Sequence, residues 1–295
     1  MFDRRTDGRW WDIGLDLVTG CSPVSQGCVH CWSAEKTHRA GYQRNPKIQA
    51  RYGGLTDFQG NWIGEVRPQW QDLDKIGRAR KPQAYTFWND LFHPGVEEEF
   101  VTSVMLRILH HPQHFFIICT KRPERALEYF SLCHPDYVRY HGDDPFKRRL
   151  MIMTTAENQA MADLRAPILL QIPDVLHGVS IEPALGPVDL WQPFARYLRE
   201  LDWVICGGET GPHARPLHPD WVRSLRDQCQ AATVPFFFKN WGEWAWRETT
   251  PPGKRWQNRW NGGEPPGHDQ AGLYRVGKKA AGCILDGRTW DEVPK

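Results

Sequence analysis

No stretch of this chain approaches the ~20 consecutive apolar residues that a membrane-crossing helix needs, so the sequence is expected to make no membrane span. Neither sign of charge dominates. Lys and Arg number 37 against 35 Asp and Glu, a net +2, which excludes a global field that would hold the whole chain on nucleic acid. Cysteine is sparse, eight in 295 residues, and the opening residues 1–11 are charged and polar with no secretory signal. Both features argue against a secreted disulfide framework and point to a cytoplasmic protein. A second Cys-x2-Cys is also missing downstream of the first, which weakens a two-half structural zinc site.

What is present sits near the start. Cys21, Cys28 and Cys31 lie in the run Gly20-Cys21-Ser22-Pro23-Val24-Ser25-Gln26-Gly27-Cys28-Val29-His30-Cys31-Trp32, a loop that leads into a predicted helix over 33–40. Such a loop can aim three thiolates at one point. A structural zinc closes its tetrahedron with a fourth ligand, here His30 or His38. An iron–sulfur cluster on three thiolates leaves one iron open. The other cysteines read as small buried hydrophobes: Cys119 and Cys206 sit in apolar runs, and Cys133, Cys229 and Cys283 are isolated. Tryptophan is abundant, fifteen residues, and runs of basic residues lie at 78–81, 147–149 and 254–259. Interleaved Trp and Arg can stack on nucleobases, although Trp that merely covers core edges would give the same composition.

Beyond an irregular region, 43–82, a unit repeats: a short apolar run, a polar end, then a helical stretch. Strands are predicted at 13–18, 84–88, 115–119, 150–154, 177–181, 203–206 and 234–238, with helices over 96–110, 123–130, 160–170 and 220–232. Continuous apolar strands between helices imply a parallel sheet covered by helices. A full or partial (β/α) barrel of the TIM type fits best, because its strand ends gather at one mouth and six strands here end in polar residues. These are Asn89-Asp90, Thr120-Lys121-Arg122, Glu157-Asn158, Glu182, Glu209 and Lys239. The expected organisation is a barrel with its cysteine loop over 1–243 and a Gly-, Pro- and Trp-rich extension over 244–295 that covers it. Residues 132–149 read as a surface insertion, and Asp286-Gly287 as a hairpin turn.

The series Val18-Thr19-Gly20-Cys21, Asp90-Leu91-Phe92-His93, Thr120-Lys121-Arg122-Pro123-Glu124-Arg125, Gly178-Val179-Ser180-Ile181-Glu182-Pro183, Gly207-Gly208-Glu209 and 236–242 resembles a phage and bacterial family known only for a three-cysteine motif. That family is similar to divergent radical S-adenosylmethionine (SAM) enzymes and to the spore photoproduct lyase. The chain departs from the usual C-x3-C-x2-C spacing by three extra residues, and its Gly-Gly-Glu follows a late strand instead of the second, where Asn89-Asp90 stands.

The resemblance implies a radical-SAM barrel whose Cys21, Cys28 and Cys31 hold a 4Fe–4S cluster, with SAM on the open iron as the source of a 5′-deoxyadenosyl radical. Asn89 and Asp90 would take the SAM ammonium, Thr120 or Lys121 its carboxylate, and Glu157 or Ser180 the ribose hydroxyls. Glu182, Glu209 and Lys239 fall to the catalytic end, while Arg215 with Lys239 would suit phosphate and Trp241 a base. Glu182 and Lys239 read equally well as an ion pair bracing the barrel. DNA or another nucleic acid is the implied substrate, for lesion repair or base modification, with electrons from a flavodoxin- or ferredoxin-type donor and room for a partner protein. The alternative is a zinc- or cluster-stabilised binding protein without turnover.

Overall fold

A computed structural model describes residues 9–141, 145–190, 198–246 and 272–294. The chain opens with β1 (Ile13–Leu15) and β2 (Val18–Gly20), crosses the cysteine loop, and enters α1 (Trp32–Gly41) and α2 (Pro46–Tyr52). Strand β3 (Val66–Pro68) returns antiparallel to β2 and a 3-10 turn follows at Trp70–Lys75, so the region expected to be irregular carries three short elements. Helix α2 starts by local chemistry, with Asn45 accepting from the Lys47 amide and Pro46 in the first turn. Its position comes from distant partners: Arg51 donates to Asp72 at 2.5 Å, and its carbonyl accepts from Thr19 Oγ1 at 3.2 Å.

Then come β4 (Ala84–Phe87), α3 (Glu98–Leu109), β5 (Phe115–Thr120), α4 (Pro123–His141), β6 (Leu150–Thr155), α5 (Gln159–Leu169), β7 (Leu176–Ile181), β8 (Trp203–Gly207), α6 (Pro219–Ala232) and β9 (Phe236–Asn240). Seven strands, those predicted, form one sheet in the order β1-β4-β5-β6-β7-β8-β9, every neighbouring pair parallel. The sheet curls into an open half-barrel, the partial form of the expected architecture. Its strands are mostly apolar because both faces are covered. Phe116, Ile118, Ile152 and Val179 belong to the core shared with the helices, while Ile117, Met153, Ile205 and Phe237 pack on the other face around Trp10 and Trp203.

Residues 132–149 are not a surface insertion. Helix α4 continues through Pro135 to His141, Tyr137 bonds Tyr129 hydroxyl to hydroxyl at 2.5 Å, and Phe146 is fully buried against Phe130 and Tyr137. Aromatic packing outweighs the helix-breaking tendency of the proline here.

After β9, β10 (Trp244–Trp246) pairs antiparallel with β11 (Leu273–Arg275), and α7 (Lys278–Ala281) follows. Asp286 and Gly287, at φ 49° and 83°, turn the chain between bridged Leu285 and Arg288, as their sequence predicts. Residues 290–292 then run along the outer edge of β9, where the Phe238 amide donates to the Trp290 carbonyl at 2.7 Å. An edge that would otherwise template further pairing is thereby covered. The basic run at 254–259, with Trp256 and Trp260, lies outside the described residues. Among those described, no helix is long and apolar enough to cross a membrane.

Candidate active site

At the carboxyl ends of the parallel strands lies a cavity of about 480 Å³. The cysteine loop forms one wall with Cys21, Cys28, His30 and Cys31. The strand ends contribute Asn89 and Asp90 after β4, Thr120 and Lys121 at β5, Thr155 on β6, Ser180 and Glu182 at β7, Glu209 after β8 and Lys239 on β9. Indoles of Trp10, Trp11, Trp32, Trp62 and Trp88 line the rest. Of the residues singled out in the sequence, Glu157, Arg215 and Trp241 do not line it.

Several of these groups are already committed to protein partners. Asp90 accepts from Thr120 Oγ1 at 2.7 Å, Arg122 Nη1 at 2.8 Å, and the amides of Phe92 and Lys121 at 3.1 and 3.2 Å. A carboxylate offers about four acceptor sites, so none is left over for a ligand ammonium. Asn89, in the left-handed region at φ 62°, donates to the Val18 carbonyl at 2.6 Å and accepts from Ser33 at 2.5 Å. Both side chains of the pair expected to take the ammonium are thus fastened to the protein framework. Glu157 is buried, with Oε1 on the Gly27 amide at 3.0 Å and Oε2 on Arg165 at 3.1 Å, so the ribose role does not suit it. Arg215 forks onto Glu209 and also reaches the Gln26 carbonyl at 3.1 Å, which occupies the guanidinium expected to take phosphate. Trp241 is 1% exposed, donates to the Ile284 carbonyl at 2.9 Å and packs edge-on to Phe238, so it offers no face to a base.

Glu182 and Lys239 pair with each other inside the cavity, and the Lys239 ammonium stands 5.4 Å from the centre of the Trp11 ring. Lys121, Thr155, Ser180 and Thr210 line the cavity with no side-chain hydrogen bond or ion pair among the described residues. Thr155 and Ser180 are register partners on β6 and β7, which places their hydroxyls side by side. These are the groups free to meet a ligand.

Charge is tuned around the loop. Burial, with the Asp90 charge adding to it, pushes the Cys21 thiol up to about 11 against the lowering effect of Arg122, so a metal there must displace a proton. Burial likewise pushes Cys119, on the cavity floor, up to about 12. For Glu209 burial acts upward too, but the hydrogen bonds and charge of Arg215 outweigh it and hold the carboxyl below its ordinary value. Cys21, Cys28 and Cys31 line one wall of the cavity. Among the described residues no three His, Cys, Asp and Glu side chains stand as a preformed metal group. Of the two imidazoles expected to complete a zinc site, His38 does not line the cavity and bonds Thr56 at 3.0 Å, and His30 faces Glu209 at 3.4 Å.

Sequence reasoning gave no individual role to Arg122, Arg165, Thr155 or the cavity indoles. Arg122 had a signal, since it follows a strand in the Thr120-Lys121-Arg122 run. Arg165 had none, because a helical Arg reads as solvent-facing. The Gly-Gly-Glu element finds a backbone reason: a Cβ on Gly208 would collide with the Trp241 carbonyl where β8 and β9 end.

Fold and site together define a class, a parallel half-barrel whose strand ends and three-cysteine loop enclose one cavity. The chain belongs to the family described as "Protein of unknown function (DUF5131)", whose match spans residues 5–294. No curated protein and no solved structure matches it.

Proposed function

We propose that this protein is a radical SAM enzyme acting on nucleic acid, most specifically on damaged or modifiable DNA. One observation carries the reading: Cys21, Cys28 and Cys31 face the same cavity as the carboxyl ends of six parallel strands. The three thiolates would hold a 4Fe–4S cluster. Reduced by a flavodoxin- or ferredoxin-type donor and bearing SAM, that cluster supplies a 5′-deoxyadenosyl radical.

The remaining roles belong to side chains with free capacity. Lys121 meets a carboxylate. Thr155 and Ser180, adjacent on neighbouring strands, bond vicinal ribose hydroxyls. The indoles of Trp11 and Trp88 flank a planar base and exclude water from the reacting carbon. Lys239, set between Glu182 and Trp11, presents a cation towards phosphate or a developing negative charge. Half-exposed Trp32, edge-on to Trp88 at the cavity wall, offers a stacking face to an extruded base.

Anaerobic reconstitution tests this reading. A brown protein binding about four irons is expected, with 5′-deoxyadenosine release that rises with UV-irradiated DNA above intact DNA. A colourless protein holding one zinc overturns the enzyme reading in favour of a binding protein. A cluster whose SAM cleavage ignores irradiated DNA, intact DNA and RNA alike overturns the nucleic-acid substrate.

A further inference from the structure

The cysteine loop makes few hydrogen bonds of its own. Within it the backbone closes Cys28 N to Ser25 O at 2.9 Å and Val29 N to Gln26 O at 3.4 Å, a single 3-10 turn. Ser22 Oγ also bonds His93 Nε2 at 2.8 Å, and three further fastenings come from the strand ends and share one chemistry. After β4, Asp90 pairs with Arg122 at 2.8 Å, and Arg122 donates to Ser22 O at 3.0 Å and Ser22 Oγ at 2.8 Å. After β6, Glu157 pairs with Arg165 at 3.1 Å and accepts from the Gly27 amide at 3.0 Å. After β8, Glu209 pairs with Arg215 at 2.6 Å, and Arg215 donates to Gln26 O at 3.1 Å. Carboxylates from alternate strands thus act, each with its arginine, on Ser22 and on the two ends of the Gln26–Gly27 peptide group.

Buried ion pairs are a poor way to gain stability, because desolvation offsets most of the attraction and apolar replacements often do as well. Side chains 4% and 0% exposed at Arg165 and Glu157, and 6% and 7% at Arg122 and Asp90, pay that penalty in full. What such pairs deliver is direction: charge-assisted bonds at fixed angles to backbone atoms. Fixed at Ser22 and at both ends of the Gln26–Gly27 peptide, the loop is held at two places along its length and the plane of that peptide is set as well. Gly27 belongs to the device, since a Cβ there would stand 3.0 Å from the Glu157 carboxyl carbon.

We infer that the pairs Asp90–Arg122, Glu157–Arg165 and Glu209–Arg215 form a clamp of three ion pairs that sets the loop carrying Cys21, Cys28 and Cys31 before any metal arrives. The inference rests on the reading of those cysteines as one metal site. The six charged side chains are positioning residues and touch no reacting atom. Their placement explains why Asp90, Glu157 and Glu209 are all committed to partners within the protein.

The test uses the metal-free full-length chain and the reconstituted protein side by side. In the metal-free chain, Asp90→Asn, Glu157→Gln and Glu209→Gln should each speed amide hydrogen exchange across residues 21–31 by on the order of tenfold or more, while exchange in the sheet stays unchanged. In the reconstituted protein the same variants should shift the electron paramagnetic resonance signature of the reduced cluster, which a purely structural brace would leave alone. Arg215→Lys keeps the charge but cannot fork to both Glu209 and Gln26, and should loosen the loop less than Glu209→Gln. This variant and Gly27→Ala also serve if a carboxamide variant fails to fold. Unchanged loop exchange in all the folded variants overturns the clamp. Faster exchange supports it even if the wild type takes up no iron, a result that would sink the cluster reading alone.

Discussion

Asn89 holds three attachments in a backbone conformation that few residues tolerate. Its φ of 62° is left-handed, its amide bridges Val18 O and Asp16, and its carbonyl oxygen takes the Ser33 hydroxyl at the start of α1. Replacing it by alanine removes the bonds and adds strain, and should lower stability by about 2–3 kcal/mol in chemical denaturation. Asn89→Gly restores the backbone freedom but not the bonds and should lose less. Equal losses would show that backbone strain contributes nothing. On the cluster reading proposed above the cysteines would behave differently, their partner being external: each of Cys21→Ala, Cys28→Ala and Cys31→Ala should abolish most bound iron with little change in melting temperature. Retained iron in any of them would remove that residue from the donor set. Asn89 and Asp90 were legible in the sequence as important strand-end residues, but their task was not. A side chain's free valences depend on which distant atoms reach it, and Ser33, Val18 and Arg122 reach these two only in the fold.

Helix α2 and the 3-10 turn at Trp70–Lys75 show what an element owes to its partner. Burial acts upward on the Asp72 carboxyl, but hydrogen bonds from Lys75 and Arg51 outweigh it and hold the group below its ordinary value of 3.8. A depressed carboxylate contributes stability that is fully present above the ordinary value and is lost as pH falls through the depressed one. The stability gap between wild type and Asp72→Asn should therefore stay constant from neutral pH down to about 5 and close only in stronger acid. Acid unfolding curves check this, and a gap that closes near neutrality would rule the pair out as the cause. These elements went unread because each is short and neither repeats a hydrophobic period, whereas strands such as β5 and β6 announced themselves by apolar runs at 115–119 and 150–153.

At the scale of the molecule, the segment after β9 shares the main core. Leu285 is fully buried in the same cluster as Phe236 and Trp241, and residues 290–292 cover the edge of the sheet. Leu285→Ala should cost about 2–4 kcal/mol and lower the midpoint of one cooperative transition. Two separate transitions, with only the minor one moved, would mark the segment as an independent unit.

The amino-acid sequence by itself determined the seven parallel strands, their helical crossovers and the polar character of the strand ends, because periodicity and apolar runs are local properties. It also brought most of the strand-end side chains to one mouth, though not Glu157, Arg215 or Trp241, since a strand's carboxyl end has one place to go in a curled parallel sheet. Only the tertiary structure decided that the sheet stays open, that Trp241 faces the core, and that Asp90, Glu157 and Glu209 are spent on arginines and loop amides while Lys121, Thr155 and Ser180 remain free. The physical reason is that hydrogen-bond capacity is allocated by contact across the chain: Gly27 meets Glu157 at a separation of 130 residues, and nothing local to either announces the other.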